Sequence, residues 1–254
     1  MNTQSNGFYI ENLSIKIGKH EILKDINLCI EPGKLLILLG PNGSGKTSLL
    51  MAIMGMPNYE ITSGRIVLNG REIQNLPIDE RARLGIGMMY QRPPSIKGVK
   101  LRQMTEISSR DGDDVECLAC QLNLEKHLDR DVNLGFSGGE IKRSEMLQLL
   151  AQRPQIALFD EPESGVDLEN ISLLGDAINQ LMEKDNPHSD KMGLIITHTG
   201  FILDYVKADR GCVLIDGGLR CFGNPKDIIS TIRKSGYEEC VACHLRSPAM
   251  EQQL

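Results

Sequence analysis

Apolar residues in this chain cluster in short continuous runs more often than in long amphipathic stripes. Leu35-Leu36-Ile37-Leu38-Leu39 contains no polar member and stops at Gly40. Such a run predicts a strand covered on both faces, as in a parallel sheet. Ile156 to Phe159 and Leu194 to Thr197 repeat the pattern, and Ile86 to Tyr90 forms a further short strand before Gln91. Phe8 to Ile30 alternates loosely between turn signals at Gly18 and Pro32-Gly33, which predicts an antiparallel layer. Ile61 to Ile73 reads as a hairpin around Asn69-Gly70, and Val213 to Ile215 with Gly217-Gly218 as a late hairpin. Helical spacing extends from Thr47 to Met54 and over most of the stretch from Lys100 to about Leu150, through Leu101, Met104 and Ile107 and later Met146, Leu147, Leu149 and Leu150. With no long repeat or low-complexity linker, we expect one α/β domain over 1–254. It contains a helical sub-domain at about 92–150 and a short tail at about 236–254, partly disordered at its polar end.

Composition narrows the class. The 254 residues leave room for a large core. A formal charge of -6 argues against a nucleic-acid partner, which needs clustered positive charge. No apolar run reaches the roughly 18 residues needed to cross a bilayer, so no direct membrane insertion is expected. The polar start, with Asn2, Gln4 and Asn6, lacks the pattern of a signal peptide, and a cytoplasmic location follows. Seven cysteines, mostly within apolar or helical stretches, read as reduced thiols. Cys117 and Cys120 share a helix face, whereas Cys240-x-x-Cys243-His244 falls in the tail. The two pairs are too far apart for a compact zinc ribbon. Both readings, simple thiols or a metal or redox role for Cys240 and Cys243, remain open. His20, His127 and His188 show no partner pattern and are expected at the surface. Met51, Met54 and Met56 are expected to fill core space.

Two stretches carry chemistry. Gly40-Pro41-Asn42-Gly43-Ser44-Gly45-Lys46-Thr47 fits G-x-x-x-x-G-K-[ST], between a buried strand and a helix. Glycines let backbone N–H groups curl around phosphate oxygens, and the helix start adds positive potential. Lys46 reaches the β- and γ-phosphates, the Thr47 hydroxyl ligates Mg2+, and Ser48 completes the ATP-binding stretch. The second stretch is Ile156 to Glu161, an apolar strand ending in two acids. Asp160 suits a metal held through water, and Glu161 suits a general base that polarises the attacking water. ATP and Mg2+ are the expected cofactors.

Phe136-Ser137-Gly138-Gly139-Glu140, ahead of a helix, resembles the LSGGQ signature of ABC ATPases. That resemblance implies a P-loop fold of ABC type, with a mixed sheet core, an antiparallel β layer and an α-helical sub-domain. It also implies a head-to-tail dimer formed with ATP, in which Ser137, Gly138, Gly139 and Glu140 cap the γ-phosphate bound by a second copy. The other landmarks appear in order and cover about residues 8–235. Gln91 resembles the Q-loop glutamine, a metal and water contact. Ser164 to Asp167 resembles the D-loop at the dimer interface, and His198 resembles the switch histidine near the γ-phosphate. At the place where ABC domains often stack adenine on an aromatic ring, this chain has Ile17-Gly18, with Phe8 and Tyr9 upstream.

Within the superfamily the chain resembles the SufC family, soluble ATPases of iron–sulfur cluster assembly. Asn133 to Glu145 is similar to the pattern N-x-G-F-S-G-G-E-K-K-R-x-E. Ile195 to Lys207 is similar to the stretch in which the switch histidine precedes a helix. Met89 to Pro93 with Ile96 to Val99, and Gly223 to Glu238, are similar to further SufC segments. This resemblance implies a SufB/SufD-like scaffold as partner. Asp160-Glu161-Pro162 departs from it, carrying the proline of transporter ATPases. The alternative reading is therefore the nucleotide-binding subunit of a membrane ABC transporter. An ABC protein of DNA repair or translation is disfavoured by the single cassette and the negative charge.

Overall fold

The uninterrupted apolar runs have a direct structural counterpart: each lies between two cores. In the computed structural model, which describes residues 6–246 apart from positions 111 and 113, strand β3 (Leu35–Leu39) sends Leu35, Ile37 and Leu39 into one core and Leu36 and Leu38 into the other. β9 (Ile156–Asp160) and β10 (Met192–Ile196) divide their side chains in the same way. With apolar atoms on both faces, neither parity can be polar, so the period-2 signal of a half-exposed strand disappears.

These strands belong to a six-stranded sheet ordered β12-β11-β3-β10-β9-β6, with β6 at Ile86–Met89, β11 at Arg210–Ile215 and β12 at Gly218–Gly223. All neighbours are parallel except the β11–β12 hairpin. A four-stranded antiparallel sheet, β2-β1-β4-β5, covers one face. It comprises β1 (Phe8–Ile17), β2 (His20–Ile30), β4 (Glu60–Leu68) and β5 (Arg71–Glu72). Helix α1 (Lys46–Met54) lies between the sheets and buries Leu49, Leu50, Ile53 and Met54. Arg81 of α2 (Ile78–Arg83) is buried beneath it. Its guanidinium donates to the last carbonyls of α1, Ala52 at 2.7 Å and Ile53 at 2.9 Å, and to those of Gln74 and Leu76. A cation there adds a donor to carbonyls at the end of the helix, where intrahelical partners run out, and opposes the negative end of its dipole.

The other core face is covered by α3 (Leu101–Ser108), α4 (Val115–Gln121), α5 (Gly138–Gln152) and α6 (Leu168–Leu181). The stretch expected to be helical from Lys100 to Leu150 is interrupted by a small ladder, β7 (Ile96–Lys100) against β8 (Asp131–Val132), and by a 3-10 turn at Glu125–His127. The helix expected after His198 is only a 3-10 turn, Phe201–Asp204.

The tail expectation also changes. Residue 236 is not where regular structure ends, because α7 (Pro225–Arg246) passes through it with a break at Gly236 (φ 80°, ψ 177°). The break turns the chain so that Tyr237 and Cys240 pack onto the core. The polar end, 247–254, lies outside the described residues.

Candidate functional site

The phosphate loop follows directly from β3. Gly43 and Gly45 adopt positive φ, 81° and 102°, and a Cβ at Gly45 would meet the Leu23 side chain at 2.6 Å. Backbone of this shape is open mainly to glycine. Lys46 is buried and its ammonium donates to the Gly40 and Pro41 carbonyls at 2.8 and 2.9 Å. Burial holds its pKa below the ordinary lysine value, partly offset by the Glu161 and Asp160 charges. The Thr47 hydroxyl donates to Asp160 Oδ1 at 3.2 Å, while Asp160 Oδ2 and Ser44 Oγ are buried without partners among the described residues. Burial raises the Asp160 pKa. A hydroxyl, a carboxylate with a spare buried oxygen and a lysine satisfied only by carbonyls match the needs of Mg2+ and phosphate.

Glu161, one residue past β9, has φ 50°, a conformation uncommon for a residue with a Cβ. Its N–H donates to Ile196 O, and its carboxylate bridges two side chains. Gln91 Nε2 donates to Oε2 at 2.6 Å, and His198 Nδ1 lies 3.1 Å from Oε1. Three residues read separately from the sequence thus converge on one carboxylate, beside the Thr47–Asp160 pair. The adenine position is less complete. Phe8 is wholly buried inside the antiparallel sheet and Tyr9 bonds to Asn6 O, so neither ring substitutes for the missing aromatic near Ile17.

Ser137, Gly138, Gly139 and Glu140 form the N-terminus of α5. A capping box closes it: Glu140 N–H donates to Ser137 Oγ, and Ser137 N–H donates to Glu140 Oε2 at 2.7 Å. The Glu140 carboxylate also meets His127, whose Nε2 lies 3.2 Å from Oε1. Gly138 packs so closely on Gly165 that a Cβ would sit 2.7 Å from its carbonyl oxygen. Asp167 caps α6, accepting from Asn170 N–H at 2.9 Å.

Several contributors were not legible in the sequence. His127 is not a surface residue: its side chain is largely covered, packed edge-on to Phe136, with Nε2 3.2 Å from Glu140 Oε1. Buried Glu163 accepts from the Thr197 hydroxyl and from Thr199 Oγ1 at 2.9 Å, tying the segment that carries His198 to the strand end. On α5, Lys142 donates to the Tyr90 and Gln91 carbonyls at 2.7 and 3.1 Å, and Glu145 accepts from Tyr90 N–H at 3.3 Å. Burial pushes the Lys142 pKa down and that of Glu145 up. Tyr237, half-buried, packs against the core, and burial raises its pKa above the ordinary tyrosine value. For Lys142 and Glu145 the sequence offered their spacing on one helix and their place in the Asn133 to Glu145 motif, but not their partners. No metal-binding cluster of three or more His, Cys, Asp or Glu occurs among the described residues, and Cys29, Cys117, Cys120 and Cys212 carry free thiols. Cys243 lies outside the residues whose side chains are described.

A family profile described as ABC transporter matches residues 23–164. A probable ABC transporter ATP-binding protein of Streptococcus pyogenes serotype M3 is 37% identical over 242 residues, 90% of this chain and 92% of its own length. Vegetative protein 296 of Bacillus subtilis (strain 168) is 34% identical over 244 residues, 90% of this chain and 91% of its own. A nucleotide-free ATP-binding cassette from an ABC transporter superposes with a TM-score of 0.75 at 22% identity, covering 92% of this chain and 98% of that one. The last likeness concerns the fold, but together with the family match and the relatives it leads to one assignment: the chain belongs to the ABC transporter family and is one of its ATP-binding ATPase subunits.

Proposed function

We propose that this chain hydrolyses Mg-ATP as a head-to-tail dimer and couples closure of that dimer to a SufB/SufD-like scaffold during iron–sulfur cluster assembly. In this reading residues 1–254 form one ABC ATPase domain, with a helical lobe at about 92–150. The observation that carries the hydrolytic part is the Glu161 carboxylate held between Gln91 and His198. Lys46 and the loop amides bind the β- and γ-phosphates. Thr47, Asp160 and Gln91 would hold Mg2+, which supplies charge neutralisation at the phosphates. Glu161 accepts a proton from the attacking water, and His198 orients the carboxylate. The Ser137–Glu140 corner of a second copy would complete the site, because the N-terminus of α5 offers free N–H groups to an anion.

The SufC-like part rests on Asn133 to Glu145, whose side chains grip the Gln91 segment. Asn133 Nδ2 donates to Pro94 O at 3.1 Å, while Lys142 and Glu145 hold the Tyr90 and Gln91 backbone. Beside this grip a groove of about 500 Å³ runs between Ala82 and Arg110, floored by Met88, Pro94, Ile96 and Leu149, with Ile107 exposed at its edge. A partner seated there would feel any movement of Gln91. The competing reading, the ATPase subunit of a membrane transporter, is favoured by the names of relatives such as the Streptococcus pyogenes protein.

Affinity purification from the native host separates the two. Recovery of a soluble scaffold supports the first reading, and recovery of a multi-span membrane protein replaces it with the second. Ile96 and Val99 are half-buried on β7. Ile96→Asp and Val99→Asp should therefore fold, keep nucleotide affinity and lose scaffold binding. Folded variants with full scaffold affinity would move the coupling surface elsewhere.

A further inference from the structure

His127 lies behind the turn that leads through Ser137 into α5. Its Nε2 donates to Glu140 Oε1 at 3.2 Å, and the other oxygen of that carboxylate takes the Ser137 N–H at 2.7 Å. Glu140 is therefore held from two sides: by the capping box of its own helix and by a ring on another segment. The ring has little freedom. It packs edge-on to Phe136 with centroids 5.0 Å apart, and its Nδ1 is buried with no partner among the described residues. Phe136, itself buried, carries the Arg130 guanidinium over its other side at 4.6 Å. The same guanidinium donates to the Leu134 and Gly135 carbonyls at 3.3 and 3.1 Å. The short segment 127–130 thus braces the whole turn that leads into Ser137.

We propose that His127 is a positioning residue for the trans phosphate contact: through Glu140 it fixes Ser137 and the first amides of α5 in the orientation that receives the γ-phosphate of a second copy. The inference rests on the head-to-tail dimer proposed above. A capping box alone leaves the glutamate free to swing out to water and release the Ser137 N–H. A second donor on the same carboxylate removes that alternative before the dimer forms, so less ordering remains to be done at the moment of closure. His127 acts only through Glu140, and only on the site to which this copy lends its signature.

Complementation between two inactive variants tests this directional claim. A Lys46→Ala chain retains its signature but lacks a working phosphate loop. A Ser137→Arg chain has the reverse defect. Mixed, they should recover ATPase activity from a single composite site, built from the Ser137→Arg chain's phosphate loop and the Lys46→Ala chain's signature. Adding His127→Phe to the Lys46→Ala chain should lower the recovered rate about tenfold, the scale of one lost hydrogen bond to a charged group. Adding it to the Ser137→Arg chain should leave the rate unchanged. His127→Leu serves where His127→Phe fails to fold. No recovery in the parent mixture overturns the dimer itself. Recovery with no loss, or with equal loss in both placements, overturns the role of His127 alone.

Discussion

At the scale of single residues, the proposed chemistry concentrates on one carboxylate. Glu161 sits at φ 50° with both oxygens engaged, by Gln91 and His198. A non-glycine residue held in this region signals that surrounding contacts outweigh a backbone preference. The contacts here are its N–H bond to Ile196 O and the two side chains. Glu161→Gln keeps the size and most of the bonding but removes the proton acceptor. It should slow hydrolysis by on the order of 10² or more while leaving ATP affinity intact, whereas Lys46→Ala should abolish affinity. Titration calorimetry and a phosphate-release assay on the pair check both. Wild-type turnover in Glu161→Gln would remove Glu161 from the role of base.

At the scale of elements, the β-sheet owes part of its register to a polar anchor at the opposite end from the site. Asp209 accepts the Leu35 N–H at 2.8 Å and the ammonium groups of Lys34 and Lys184, joining the start of β3 to the residue before β11 and to the segment after α6. Burial pushes this carboxyl up, but the bonds from Lys184 and Leu35 and the Lys184 charge outweigh it, and the net pKa lies below the ordinary value. A depressed folded-state pKa contributes stability above the unfolded value, about 3.9, and loses it as pH falls through the folded one. Asp209→Asn should therefore melt earlier than the parent at pH 7, by about 1–3 kcal/mol, and the difference should shrink below about pH 4. A gap that persists unchanged at pH 3 would show that the ion pairs are not its source.

At the scale of the molecule, the turn proposed to serve a second copy's nucleotide faces outward. Ser137 is tied to Glu140 and Glu140 to His127, and exposed Leu168 and Phe201 flank the Asp167 segment. A chain of charge -6 resists self-association until a bridging ligand offsets the repulsion. We expect a monomer in sedimentation without nucleotide and a dimer for Glu161→Gln in Mg-ATP. A tight nucleotide-free dimer, or a monomer under both conditions, would contradict the composite site.

Much of this was legible from residue order alone. The phosphate loop, the strand-end acids, Gln91, His198 and the signature are each local strings, because backbone curvature around an anion and a strand end at a metal demand particular residues at particular neighbouring positions. The doubly buried strands were equally plain, since a run with no polar member has few places to go. Distance in the chain hid the rest. His127 carries no local pattern, and only packing against Phe136 and Glu140 gives it a partner. Glu163 looked like one acid among several until Thr197 and Thr199 came to it across the sheet. Lys142 and Glu145 had the spacing of one helix face, but their targets, the Tyr90 and Gln91 backbone groups, lie more than fifty residues earlier. Tyr237 packs onto the core beyond a break in the last helix at Gly236, which no local pattern announces. A hydrogen bond depends on separation in space, and long-range partners share no periodicity, so the residues proposed to perform the chemistry could be named from the chain, whereas those that hold them in place were decided by the fold.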